Sequence, residues 1–406
     1  MNTDITKIWE DLVWEEGGKI VYLILDGLGG LPDAERGGTE LQVADTHNFD
    51  QLAKESSCGL LEIVGPGITP GSGPGHLALF GYDPLHYRVG RGVLSALGID
   101  FDLQAGDVAA RVNFATVDEA GNISDRRAGR IATDLNQKLT QKIRDQVSLD
   151  FDGTFFFETV SEHRAVLVLR GANLGGNLVD TDPQQTGVPA AEPRAKDDGS
   201  QLTEKLICSF VEQVKSVLAA EKPANMILLR GFERYEPLPS LQERFKLKGL
   251  CIADYPMYRG VSRLIGMDLV DPPGGIEARF KALQAQYAKD YNFFFVHVKK
   301  SDSLGEDADF DSKVSLIETV DRLLPLITTL APDVLVVTAD HSTPATMGQH
   351  SWHPVPLLIY GAHTRVDGVA QFDEYACRRG MLGTRPGTHL MGLALANAGR
   401  LQKYGA

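Results

Sequence analysis

Four runs along the chain are apolar but for His297 and Thr338, and each has the length of a strand: Ile20–Leu25, Phe293–Val298, Val334–Thr338 and Pro356–Tyr360. Continuous rather than alternating apolar character predicts strands covered on both faces, as in a sheet packed between helices. Between these runs the period changes. Across Asp311–Leu323, Val314, Ile317, Val320 and Leu324 recur at helical spacing behind an Asp-Ser start. Strand alternating with helix predicts an α/β fold with a mostly parallel central sheet.

The middle of the chain reads differently. Val166–Leu169 and Met226–Leu229 are strand-like, Ala132–Gln146 and Thr203–Ala219 are helical, and Asp180–Ser200 is a polar loop with Pro, Gly and charge. This predicts a smaller α+β domain at 98–256, inserted into a discontinuous domain made of 1–97 and 257–406. No internal repeat appears at periods of about 20 to 50 residues.

Composition narrows the classes of function. Forty basic against 54 acidic residues give a net charge of −14, which argues against a surface built to coat nucleic acid or an anionic membrane. No apolar run approaches the ~18 residues of a membrane span. The start MNTDITKIWEDLVWEEGG lacks a basic region and an apolar core, so no signal peptide is expected and a cytoplasmic location follows. Cys58, Cys208, Cys251 and Cys377 are scattered without metal-site spacing and read as buried, reduced thiols. Self-association is left open.

The chemistry lies at the strand ends. KIVYLILDGLGG runs into Asp26, FFFVHVKKSDSLGE into Asp302 and Glu306, and VLVVTADHSTP into Asp340 and His341. All three sites lie just beyond the carboxyl ends of apparent parallel strands, where open α/β sheets hold ligands. One strand-end aspartate is ordinarily a turn or helix cap; three, with an Asp-His pair among them, make a convergent set. HSWHPVP adds His350 and His353, of which His353 reads equally well as a surface or supporting imidazole. Hard oxygen ligands with two or three imidazoles suit a pair of divalent metals. In GPGITPGSGPGHLALFGYDP, Ser72 stands in a glycine turn ahead of a helix, where backbone N–H groups meet an anion and a metal-bound hydroxyl becomes a nucleophile.

These segments, with NFATVDEAGNISDRRAGRI, YPMYRGVSRLIGM and the Lys-Ser-Asp start at Lys300, resemble the archaeal-type cofactor-independent phosphoglycerate mutases of the alkaline phosphatase superfamily, over about Lys19 to Leu395. The resemblance implies an alkaline-phosphatase-like core and glycolytic interconversion of 3-phosphoglycerate and 2-phosphoglycerate through a phosphoserine, with no 2,3-bisphosphoglycerate required. It implies one metal on Asp26, Ser72, Asp340 and His341 and another on Asp302, residue 306 and His350. The family places His at position 306, whereas this chain has Glu306, which tilts the site towards manganese or magnesium over cobalt or zinc. Arg111, Asp125, Arg126 and Arg130, with Arg259 and Arg263, then become candidates for holding the substrate's phosphate and carboxylate, with His163-Arg164 near them. The inserted domain would serve as a lid that keeps water from the phosphoenzyme. A metal-dependent phosphatase or phosphonate hydrolase would use the same site, and a metal-stabilised scaffold is the alternative of another class.

Overall fold

The apolar runs are strands in the computed structural model, which describes residues 5–405. Its strands are β1 (Ile20–Leu25), β2 (Ser57–Glu62), β3 (Val108–Val117), β4 (Ile123–Asp125), β5 (Gly153–Ser161), β6 (Arg164–Gly171), β7 (Met226–Arg234), β8 (Gly249–Ile252), β9 (Asp268–Val270), β10 (Phe293–Val298), β11 (Val334–Thr338), β12 (Val355–Gly361) and β13 (Gly383–Pro386). They form one sheet in each of two units.

The first unit comprises the chain up to Arg88, Pro239–Tyr255, and everything from Ile265 onward. Its sheet has the order β13-β2-β12-β11-β1-β10-β8-β9. β1 pairs in parallel with both β10 and β11, with Ile20 level with Phe293 and Val334, so the three strands end in step. Every side chain of β1, β10 and β11 is buried, and each large one contributes roughly 1.5–3 kcal/mol on leaving water. The run at 356–360 belongs to β12, which lies antiparallel between β11 and β2.

The second unit comprises Val89–Leu238 and Pro256–Leu264. Its sheet runs β4-β3-β6-β5 with β7 also on β3, every pair antiparallel. Helices Thr133–Gln146 and Gln201–Leu218 share one core with it through Leu139, Ile143, Phe210 and Val214 against Phe114, Phe157 and Leu167. Its edges differ from 98 and 256 for two reasons. Helix Arg91–Gly98 packs on helix Pro256–Leu264 so closely that a Cβ on Gly260 would lie 2.1 Å from Leu94 O, and β8 joins the large sheet of the first unit.

All four cysteines are free, but Cys208 is exposed rather than buried, on the outer face of helix Gln201–Leu218. Among the described residues no helix is long and apolar enough to cross a membrane.

Candidate active site

Because β1, β10 and β11 end in step, the residues that follow them emerge side by side. Asp26 N donates to Val298 O at 3.0 Å, Lys299 follows β10 directly, and helix Lys300–Glu306 carries Asp302 in its first turn. Gly27 turns the chain with φ of 65°, where a Cβ would lie 2.6 Å from Thr343 Oγ1. Ser72 is the first residue of helix Ser72–Leu79, which is buried almost all round. Only glycine fits at position 75, since a Cβ there would lie 2.5 Å from Asp340 O. That close approach brings the serine to the strand ends.

The first group centres on His341. Its Nε2 lies 3.2 Å from Ser72 Oγ, 3.2 Å from Asp26 Oδ1 and 3.2 Å from Asp340 Oδ2. Its Nδ1 is 3.0 Å from Thr343 Oγ1, whose hydroxyl donates to Asp302 Oδ1 at 2.7 Å. A carboxylate only accepts, so the threonine proton is committed to Asp302 and the threonine oxygen takes Nδ1–H from His341. The Nε2 lone pair therefore faces two carboxylate oxygens and a hydroxyl, all buried. Acceptors meeting acceptors out of water need a proton or a cation between them, and an imidazole fixed through its other nitrogen is the usual metal ligand. The donor set fits a divalent ion.

The second group centres on Asp302. His350 Nε2 lies 3.3 Å from Asp302 Oδ1 and its Nδ1 donates to Pro70 O at 3.0 Å. The His341 and His350 rings stack with centroids 3.7 Å apart. The ligand atoms of Asp302, His341 and His350 lie within 4.8 Å of one another, as do those of Asp26, Asp340 and His341. Glu306 stands at the rim, its Oε1 3.8 Å from His350 Nε2 and its side chain 54% exposed. His353 is in neither group; its Nδ1 meets Ser351 Oγ at 3.1 Å and its ring stacks on Trp352.

The sequence reading missed Lys299, whose Nζ lies 3.4 Å from Asp26 Oδ2 and bonds Asp302. Burial opposes its charge, but Asp26 and Asp302 outweigh it and raise the pKa. The available signal was a lysine at the first position after a fully buried strand. Also missed were two buried imidazoles: His76, 2.7 Å from Ser72 O and 3.3 Å from Asp340 Oδ2, and His297, 3.7 Å from Asp26 Oδ2. Burial pushes His76 down to about 4 and His297 well below its ordinary range, so both are neutral at pH 7. The carboxylates divide. Burial opposes the charge of Asp26, but the neighbouring His341 and Lys299 hold its pKa well down. Burial and the neighbouring Asp26 and Asp302 charges push Asp340 well up. Without a metal, burial and like charge favour a proton on Asp340 over one on Asp26.

The arginines lie in the second unit. Asp125 accepts from Arg127 N at 2.8 Å and Gly129 N at 2.6 Å, which closes a turn where Ala128, Gly129 and Arg130 all have positive φ. Two non-glycine residues held there store roughly 1–3 kcal/mol each, a mark of functional turns. Burial, then Arg164, Arg111, Arg127 and Arg130, push the enclosed His163 down to about 3, so these guanidinium groups surround a neutral imidazole. Arg126 grips Asp182 through two 2.8 Å bonds, with Arg230 3.4 Å from the same carboxylate. Arg259 and Arg263 share Asp100, at 3.5 and 2.5 Å.

Residues 53–225 match the family model for 2,3-bisphosphoglycerate-independent phosphoglycerate mutase. A Deinococcus radiodurans protein is 48% identical over 411 aligned positions, covering 100% of both chains. A Thermus thermophilus protein is 47% identical over 406, covering 99% of this chain and 100% of its own. Both bear the description "Probable 2,3-bisphosphoglycerate-independent phosphoglycerate mutase". Among solved structures, a Pyrococcus horikoshii protein aligns with a TM-score of 0.82 at 30% identity, covering 96% of this chain and 100% of that one. A cofactor-independent phosphoglycerate mutase from Thermoplasma acidophilum aligns at 0.68 and 28% identity, covering 94% and 100%.

Proposed function

The chain belongs to the 2,3-bisphosphoglycerate-independent phosphoglycerate mutases, and from that premise we propose that it interconverts 3-phosphoglycerate and 2-phosphoglycerate through a phosphoserine on Ser72. The convergence of Ser72, Asp26 and Asp340 on the lone pair of His341, each at 3.2 Å, carries this reading.

Asp26, Ser72, Asp340 and His341 would hold one divalent ion, and Asp302 and His350, with Glu306 at the rim, would hold a second. Manganese or magnesium suits the carboxylate-rich set. Bound there, such ions would supply positive charge against the transferring phosphoryl group and lower the pKa of the Ser72 hydroxyl. The protein's own groups do the rest. Ser72 begins a helix whose first N–H groups face an incoming anion, and the Lys299 ammonium adds a fixed positive charge between the two carboxylate groups. Ser72 Oγ attacks phosphorus in line with the C3 ester oxygen. The bond to C3 oxygen breaks as the bond to serine forms, and the serine proton passes to the departing oxygen. Attack by the C2 hydroxyl on the phosphoserine, with its proton returned to Ser72, completes the exchange. The arginine-bearing second unit recognises the carboxylate and phosphate of the substrate, with Arg111 and Arg130 around His163 as its centre. The net charge of −14 supports an enzyme acting on a small molecule rather than on nucleic acid or a membrane surface.

The test is the product of 3-phosphoglycerate turnover with manganese. 2-Phosphoglycerate should form far faster than free phosphate, and 2,3-bisphosphoglycerate should not accelerate it. Stoichiometric phosphate release without isomer would move the assignment to a phosphatase.

A further inference from the structure

We propose that Lys313 is a positioning residue for the metal-binding groups, tying the loop after β1 to the loop after β11 through their backbone carbonyls; the inference rests on the reading that those loops hold metal. Lys313 lies near the start of helix Phe310–Leu323 and is fully buried. Its Nζ donates to Gly27 O at 3.0 Å and to Thr343 O at 2.8 Å, and lies 3.5 Å from Glu40 Oε1. Three acceptors thus meet the three donors of one ammonium. Gly27 is the residue after Asp26. Thr343 is the residue whose hydroxyl meets both Asp302 and His341. Lys313 touches no ligand itself, yet it fixes the backbone on which three of them are aimed.

Glu40 extends the same tie. It is fully buried and accepts Ala345 N at 2.7 Å, two residues beyond Thr343. Its Oε2 occupies the space of a Cβ on Gly30, 1.9 Å from the ideal position, so only glycine fits there in the first loop. Glu374 holds that glycine from the other side, accepting Gly30 N at 2.7 Å and Thr39 Oγ1 at 2.8 Å. Thr39 caps the helix that carries Glu40.

Stability alone does not explain an ion pair in this place, because well-packed apolar residues of equal volume commonly serve as well or better than a buried pair. A methionine cannot bind two carbonyls from two loops at once. Groups that orient metal ligands without touching the ion typically carry a ten- to hundredfold effect on metal affinity.

The test uses the full chain, stripped with a chelator, and manganese binding measured by calorimetry beside urea unfolding of the metal-free protein. In K313M/E40Q, which removes both charges together, manganese affinity should fall about ten- to hundredfold while the metal-free protein unfolds near the wild-type urea midpoint. E40Q alone keeps the ammonium and both carbonyl bonds, and its loss of manganese affinity should stay below about tenfold. Wild-type affinity in K313M/E40Q would overturn the proposal, as would a loss in E40Q equal to that of the double variant. Failure of the wild-type protein itself to bind manganese would overturn the metal reading on which the proposal stands, and is visible separately.

Discussion

Asp340→Asn separates stability from metal binding, and the structure sets the sign of both effects. The ligand atoms of Asp26, Asp340 and His341 lie within 4.8 Å of one another with no exposure to solvent. At an effective dielectric of about 20, two like charges at about that distance repel by roughly 3 kcal/mol. The metal-free protein avoids this by holding Asp340 protonated, since burial and then Asp26 push its pKa well above the usual carboxylate range. An acid whose folded pKa is raised adds its full stability below the unfolded pKa and loses it as pH rises. Asparagine mimics the protonated form and does not titrate. Metal-free Asp340→Asn should therefore match wild type near pH 4 and exceed it progressively at higher pH, by up to about 3 kcal/mol in urea unfolding. Manganese should reverse the order. Wild type gains about 2.7 kcal/mol at a hundred times the dissociation constant, whereas the variant, short of one carboxylate, gains much less. Equal stability of the two metal-free proteins at pH 8, or an undiminished manganese effect in the variant, would refute the reasoning.

Ser72→Ala should abolish phosphoserine formation and lower the mutase rate by about a thousandfold or more with the fold intact; a tenth of the wild-type rate in a clean preparation would contradict the nucleophile. Arg130→Ala should reduce kcat/KM by roughly tenfold to a hundredfold, the worth of a charged hydrogen bond, and elemental analysis should find its metal content unchanged. Across a metal series, Glu306→His should shift the preference from manganese or magnesium towards cobalt or zinc, and a Glu306→Ala variant equal to wild type in activity and metal stoichiometry would remove that residue from the site. Glu374 is half-buried and burial raises its carboxyl to about 7, so its contribution is present below about pH 4.5 and lost as pH rises to about 7. The stability of wild type relative to Glu374→Gln should fall by about 2–3 kcal/mol across that window, and a constant difference would sink the assignment.

How much of the fold was legible depended on how each strand is covered. β1, β10 and β11 match their apolar runs residue for residue, because a strand buried on both faces writes a continuous rather than an alternating signal, broken here only by His297 and Thr338. β3 does not: Arg111 and Asn113 interrupt VAARVNFATV, whose burial is incomplete at several positions. β8 has only four residues and a glycine, and β2 mixes Ser57, Gly59 and Glu62 with its apolar residues, so neither stands out from a loop. Strand direction left no trace at all. β12 is as apolar as β1 and β11 yet runs antiparallel to both its neighbours, because the side-chain pattern of a covered strand is the same in either direction. That single reversal is why the sheet is mostly rather than wholly parallel.

The site was legible to the extent that chemistry follows a strand end. Asp26, Asp302, Asp340 and His341 each come directly after an apolar run or within a few residues of one, and the register of β1 with β10 and β11 turns that sequence position into spatial convergence. What supports them carries a fainter mark. Thr343 acts by committing one hydroxyl proton, and Lys313 acts on backbone carbonyls, which every residue possesses, so no motif announces either. Yet Lys313 was not wholly silent. It falls in helical register with Ile317, Val320 and Leu324, all buried. The apolar stripe built on Val314 therefore runs into a lysine on its own buried side. A cation on the face a helix turns inward must meet acceptors there, and the acceptors within its reach are the carbonyls of Gly27 and Thr343, in the loops that carry Asp26 and His341.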